Sequence, residues 1–110
     1  MNDYYPDKWV LIKVTVRDNF PYYRVFGTWF GGYVTGDHWR LNSGVVLIKS
    51  ISDGYGFYGG SGSIYYCHNN RYGCSGYTQG VLDDIISKAS GDMLIEIVPE
   101  DADFLNILYS

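Results

Sequence analysis

SGYTQGVLDDIISKASGDMLIEI, Ser75 to Ile97, is the stretch whose reading decides the fold. Val81, Leu82, Ile85, Ile86 and Ala89 recur at helical spacing and make one apolar stripe, with Asp83, Asp84, Ser87 and Lys88 on the other side. The spacing predicts a helix over Thr78 to Ser90, capped by Ser75 or Thr78 and stopped by Gly91 in a left-handed conformation. A short apolar strand, Met93 to Val98, follows directly, with Met93, Ile95 and Ile97 on one face and Glu96 on the other. Pro99 ends it. Everything upstream reads as strands and glycine-rich turns that need such a cover.

Working back towards the N-terminus, Val45 to Ser52 is a strand whose four consecutive apolar residues suggest a central position covered on both faces. After Asp53-Gly54, the segments Tyr55 to Tyr58 and Ser63 to His68 form a hairpin around Gly59-Gly60, with a glycine-rich loop as the competing reading. Asp7 to Arg17 alternates with the period of a strand, and Leu11 on its second face implies a far side that is not wholly wet. Asp18, Asn19 and Pro21 form a turn into a second strand, Tyr22 to Phe30, aromatic on both faces. Gly27 and the Gly31-Gly32 pair mark bulges or a bend. Tyr33 to Gly44 reads as a structured loop holding one short extended piece, and Asp101 to Tyr109 as a last helical turn or a brief edge strand. The expected fold is α+β: one domain over residues 1–110, a curved, mostly antiparallel sheet of five or six strands packed against one main helix.

The chain has 110 residues, enough for one modest core. No apolar run approaches the roughly 20 residues of a membrane span. The polar start, Met1 to Lys8 with Asp3 and Asp7, is unlike a secretory signal, so a cytoplasmic location is expected. That expectation makes Cys67 and Cys74 reduced thiols rather than a disulfide. Charge is uneven: six basic residues against four acids in the first fifty positions, then two against eight. An acidic second half disfavours a phosphate backbone as partner and suits either solubility or a basic protein surface.

Twelve Tyr, five Phe and three Trp are too many aromatics for the centre of so short a chain, so some must reach the surface. Trp29, Tyr33, Trp39, Arg40, Tyr55, Phe57 and Tyr58 lie around glycine-bearing turns, and Trp, Tyr and Arg dominate binding hot spots. The competing reading puts Trp29, Trp39 and Phe57 in the core. Trp39, Arg40, Tyr55 and Tyr58 are the candidate binding residues.

Catalytic patterns are weaker. Ser43, Ser61 and Ser63 with His38 or His68 and Asp37 would make a hydrolytic set, but no Ser stands in a nucleophile elbow. Cys67, His68 and Cys74 lack zinc-site spacing, and Cys67 and His68 would diverge on a strand. Gly54 to Gly62 has no lysine following it as a phosphate loop would. The residues predict neither a metal nor a cofactor.

The segments KWVLIKV, YYRVFGTWFGGYVTGDHWRLNSGV and SGSIYYCHNNRYGCSGY together resemble small uncharacterised proteins of tailed bacteriophages. The resemblance implies expression in a bacterial host and transfers no catalytic residue. The expected function is therefore a non-enzymatic, phage-like protein-binding module that modulates a host factor, with homodimer formation through an exposed sheet edge or aromatic patch. The alternatives are a single-stranded nucleic-acid-binding protein using Arg17, Arg24 and Arg40, and a small hydrolytic enzyme built around His38 and His68.

Overall fold

Trp9 and Val10 are neighbours on one strand and belong to different cores. The computed structural model describes residues 2–32 and 36–109. Among them are eight strands: β1 (Asp3–Tyr4), β2 (Lys8–Val16), β3 (Tyr22–Gly32), β4 (Gly36–Leu41), β5 (Val45–Ile51), β6 (Gly54–Gly59), β7 (Ile64–His68) and β8 (Met93–Ile97). One α-helix, α1 (Gly76–Lys88), and two 3-10 segments, Asn69–Arg71 and Phe104–Tyr109, complete the described elements.

The chain is α+β, but its strands form two four-stranded sheets, ordered β4-β3-β2-β8 and β1-β7-β6-β5, rather than one curved sheet of five or six. The first sheet lies in the middle of three layers. On one face Val10, Ile12, Val14 and Phe26 pack against Leu82 of α1, with Val81, Ile85 and Ile86 beside it. On the other, Trp9, Leu11, Tyr23 and Val25 meet Ile48, Phe57, Tyr65 and Cys67 of the second sheet. The second apolar face anticipated at Leu11 is thus the interface with a whole additional sheet. Leu11 and Ile12 are both essentially inaccessible, and each contributes on the order of 1.5–3 kcal/mol by leaving water.

Local chemistry sets the corners. Asp18 turns the β2–β3 hairpin at φ 64°, and the Asn19 N–H donates to the Val16 carbonyl (3.0 Å). The pairing of β3 with β4 shifts register between Trp29 and Gly32, where glycines were expected to interrupt the ladder. The expected loop over Tyr33 to Gly44 is in large part strand β4; its first residues, 33–35, lie outside the described residues. Gly36, Asp37 and Asn42 resemble turn formers, yet Trp39 and Leu41 pair with Thr28 and Phe26 and are drawn into the ladder by those neighbours. Asn42, 2% exposed, then carries the chain between sheets, its Oδ1 accepting the Val25 N–H (2.9 Å).

Strand β5 is an edge strand, contrary to the central position its apolar run implied. A bulge between Val45 and Leu47 turns Val45 and Ile48 into the core and leaves Val46 and Leu47 outside. The expected β6–β7 hairpin is present, closed by Gly59 N–H to Ser63 carbonyl (2.8 Å). Helix α1 begins two residues earlier than the spacing predicts, because Ser75 caps it: the Thr78 N–H donates to Ser75 Oγ (3.3 Å) and the Ser75 N–H to Thr78 Oγ1 (2.9 Å). Gly91 follows at φ 64°, as expected. The tail, Phe104–Tyr109, is helical and buries Phe104 against Trp9 and Tyr55.

Candidate functional site: an aromatic cleft beside the outer sheet

Strand β1 is only two residues long, but its parallel pairing with β7 sets Tyr4 beside Tyr65 (ring centroids 4.7 Å apart). Across the gap, β3 and β4 present Trp29, His38 and Arg40 on the face opposite the helix. Together with Asp3 and Tyr5 these residues line an open cleft of about 380 Å³. Its walls are mutually ordered. The Arg40 guanidinium lies 4.9 Å from the Tyr4 ring centroid and its Nη1 donates to the Tyr4 hydroxyl (3.0 Å). Trp29 stacks on His38 (5.4 Å, 8° between planes), and its Nε1 donates to the Tyr5 carbonyl (3.1 Å). Burial pushes the Tyr65 hydroxyl up to about 12, with Arg40 opposing the shift.

Tyr5 joins this cleft to the outer face of the second sheet by stacking on Tyr66 (5.0 Å, 14°). The Tyr66 hydroxyl is raised above its ordinary value by partial desolvation and then by Asp3, Tyr58 and Tyr5, which places these groups in one neighbourhood. Tyr58 shares that face with Leu47 and Ile64, its cross-strand partners, and the Lys49 ammonium lies 5.3 Å from its ring centroid. Tyr5 and Val46 are 62% and 65% exposed, so the face stands open to solvent at both ends. The result is an aromatic surface that bears the cations Arg40 and Lys49 and the acid Asp3.

No protein family, curated protein or solved structure matches this chain.

The four candidate binding residues do not form one patch. Trp39 and Arg40 are adjacent on β4 and point to opposite faces: Trp39 to the helix side, stacked on Phe26 (5.4 Å), Arg40 into the cleft. Tyr55 faces inward, half-buried against Phe104 (5.3 Å) and Phe57 (6.0 Å). Tyr58 faces outward. Arg40 and Tyr58 therefore border the same surface, through Tyr5 and Tyr66, while Trp39 and Tyr55 do not. Phe57 is core, and Tyr33 lies outside the described residues. Tyr4, Tyr5 and Tyr66 were not singled out from sequence, because their convergence depends on β1 joining β7 across about sixty residues.

The other sets separate. His38 lies in the aromatic cleft, whereas His68 lines a different one with Asp53, Asn69, Asn70 and Arg71. Ser43, Ser61 and Ser63 bond one another, Ser43 Oγ to Ser61 Oγ at 3.0 Å. Cys67 sits in the core between the sheets and Cys74 in the cluster under the helix, so both are free thiols on opposite sides of the middle sheet. Burial raises the Cys67 thiol well above its ordinary value and raises Cys74 too. Arg24 and Arg40 project from opposite faces of that sheet, the Arg24 Nε donating to the Asn42 carbonyl (2.7 Å), and Arg17 pairs with Asp92 (3.0 Å). No helix among the described residues is long and apolar enough to cross a membrane.

Proposed function

We propose that the protein is a non-enzymatic binding module that recognises another protein through the cleft and the adjoining outer face of its second sheet. The observation that supports this reading is the continuity of Arg40, Tyr4, Tyr5, Tyr66 and Tyr58 along one open surface. Rigid aromatics lose little entropy on binding, and Arg40 is held in place by Tyr4, so the surface is largely organised before a partner arrives. The matching partner segment carries a carboxylate for Arg40 and Lys49 beside an aromatic or aliphatic side chain for Tyr5 and Tyr58. In the phage-like setting that the sequence resembles, that partner is a cytoplasmic host factor.

Purified protein is used to capture partners from a bacterial lysate, in parallel with Arg40→Ala and Tyr58→Ala. The expected result is one stoichiometric protein whose affinity drops roughly tenfold or more in each variant. Trp39→Ala, on the helix side, leaves capture unchanged. Recovery of nucleic acid with a steep salt dependence would overturn the reading in favour of single-strand binding. Capture insensitive to both Arg40 and Tyr58 would move the interface elsewhere.

A further inference from the structure

Strand β8 closes one side of the middle sheet, and no strand among the described residues pairs with its outer edge. Its antiparallel register with β2 pairs Lys13 with Glu96 and Thr15 with Leu94. Beyond those pairs, the Arg17 N–H donates to the Asp92 carbonyl (2.8 Å) and the Val98 N–H to the Leu11 carbonyl (2.9 Å). Hydrogen-bonded pairs alternate along an antiparallel ladder. Leu94 and Glu96 therefore spend their backbone groups on β2, as do the Asp92 carbonyl and the Val98 N–H, and Ile95 and Ile97 aim theirs outward, together with the Met93 carbonyl. The same strand carries Met93, Leu94 and Ile97 at 40%, 56% and 41% exposure. An unpaired apolar edge of this kind is a template for another strand.

The other edges differ: β1 has two residues, β5 has the Phe104–Tyr109 segment packed against it, and β4 carries Asp37, His38 and Arg40 along its six residues, the charged composition that blunts an edge.

We propose that the outer edge of β8 pairs antiparallel with β8 of a second copy of this chain, about a two-fold axis through Ile95. The outward backbone groups of β8 are self-complementary, and the charge pattern selects the register. With Ile95 opposite Ile95 of the second copy, Met93 stands opposite Ile97 and Leu94 opposite Glu96, so no two charges of like sign meet. Sliding one step either way sets Glu96 against Glu96 and Met93 against Pro99, or Glu96 against Asp92; like charges directly opposite are unfavourable. In the Ile95-centred register each outward Ile95 N–H reaches the other copy's Ile95 carbonyl, and each Ile97 N–H its Met93 carbonyl. The two middle sheets then continue as one, with both copies of α1 on the same side, which is the self-complementary contact a two-fold dimer requires. The aromatic cleft lies at the opposite edge of the sheet, by β4, and stays open.

The test is sedimentation equilibrium of the full chain over a concentration series, with thermal unfolding of every variant as the check on folding. The native chain sediments at twice its monomer mass of 12.5 kDa as concentration rises. Leu94→Glu puts Glu opposite Glu96 twice across the axis and weakens dimerisation roughly tenfold or more. Leu94→Lys faces Glu96 instead and dimerises at least as tightly as the native chain. Adding Glu96→Lys to Leu94→Glu restores the dimer. A native chain that stays monomeric, or a dimer indifferent to Leu94→Glu, overturns the proposal. Leu94→Lys weakening as much as Leu94→Glu overturns the Ile95-centred register.

Discussion

Tyr72 fills the fork where β2 and β8 part. Its hydroxyl donates to the Val98 carbonyl and accepts the Leu11 N–H (3.2 Å), while its ring meets Trp9 edge-on (4.6 Å). One side chain thus satisfies a donor and an acceptor that would otherwise be stranded at the end of the ladder. Tyr72→Phe keeps the ring and strands both groups, so it is expected to cost about 1–3 kcal/mol in urea unfolding. Burial also pushes the hydroxyl up to about 12 from an ordinary 10.0, as it does for Tyr65. The folded state therefore holds these protons more tightly than the unfolded chain, and stability is fully present below pH 10 and drains away as pH rises towards 12. Denaturation midpoints measured across pH 8 to 12 are expected to be flat and then fall, with a shallower fall in Tyr72→Phe. Nothing in the sequence marks Tyr72 out from the other tyrosines. Its role comes from a chain reversal that brings Gly73 to the Trp9 carbonyl (2.8 Å).

Gly54 shows how an element can depend on a missing side chain. A Cβ there would stand 2.1 Å from the Cys67 carbonyl oxygen, a backbone atom of the paired strand that has no room to move. Gly54→Ala is expected to destabilise by about 3 kcal/mol or more, or to prevent accumulation of folded protein, while Gly60→Ala, with only a Val46 methyl at 3.8 Å, serves as a silent control. The Asp53-Gly54 turn was legible, as were α1, β2, β3, β6 and β7, because each carries its own periodicity and punctuation. The Met93–Ile97 strand was legible too, but not its exposure, since an apolar strand reads alike at an edge and at a centre. β4 was illegible for a different reason. Its strand character is supplied by β3: Trp39 and Leu41 sit on Phe26 and Thr28 across the ladder, and the glycine, Asp37 and His38 around them signal a turn when read alone.

Across the whole molecule, the division into two sheets was the fact that periodicity could not deliver. Alternation in β2 shows that both faces are apolar, but not whether helix or sheet covers the second. The aromatic excess was half legible: Trp9, Tyr23, Phe26, Phe57, Tyr65 and Phe104 are inside, while Tyr5, Phe20, Trp39 and Tyr77 are not. The three-layer arrangement makes a prediction of its own. Cys67 is fully buried between the sheets and Cys74 only half-buried beneath α1, so their alkylation reports on two different interfaces. Cys74 is expected to react on partial release of the helix, and Cys67 only on separation of the sheets, so Cys74 reacts faster under native conditions and the two rates converge in denaturant. Mass spectrometry of the modified peptides separates the two. Equal native rates would mean that helix and outer sheet come away together.

The short β1 strand has a practical consequence for anything fused to this chain. The Asn2 carbonyl accepts the Ile64 N–H (3.0 Å), so the backbone is anchored one residue before Asp3 enters the cleft wall. A purification handle joined at this end of the chain is therefore tethered within a few residues of Asp3 and Tyr5. Tethered by a few flexible residues, it sits there at roughly millimolar effective concentration. An appendage that carries side chains the cleft recognises competes intramolecularly, and a micromolar ligand tested against it reads weaker than its own affinity.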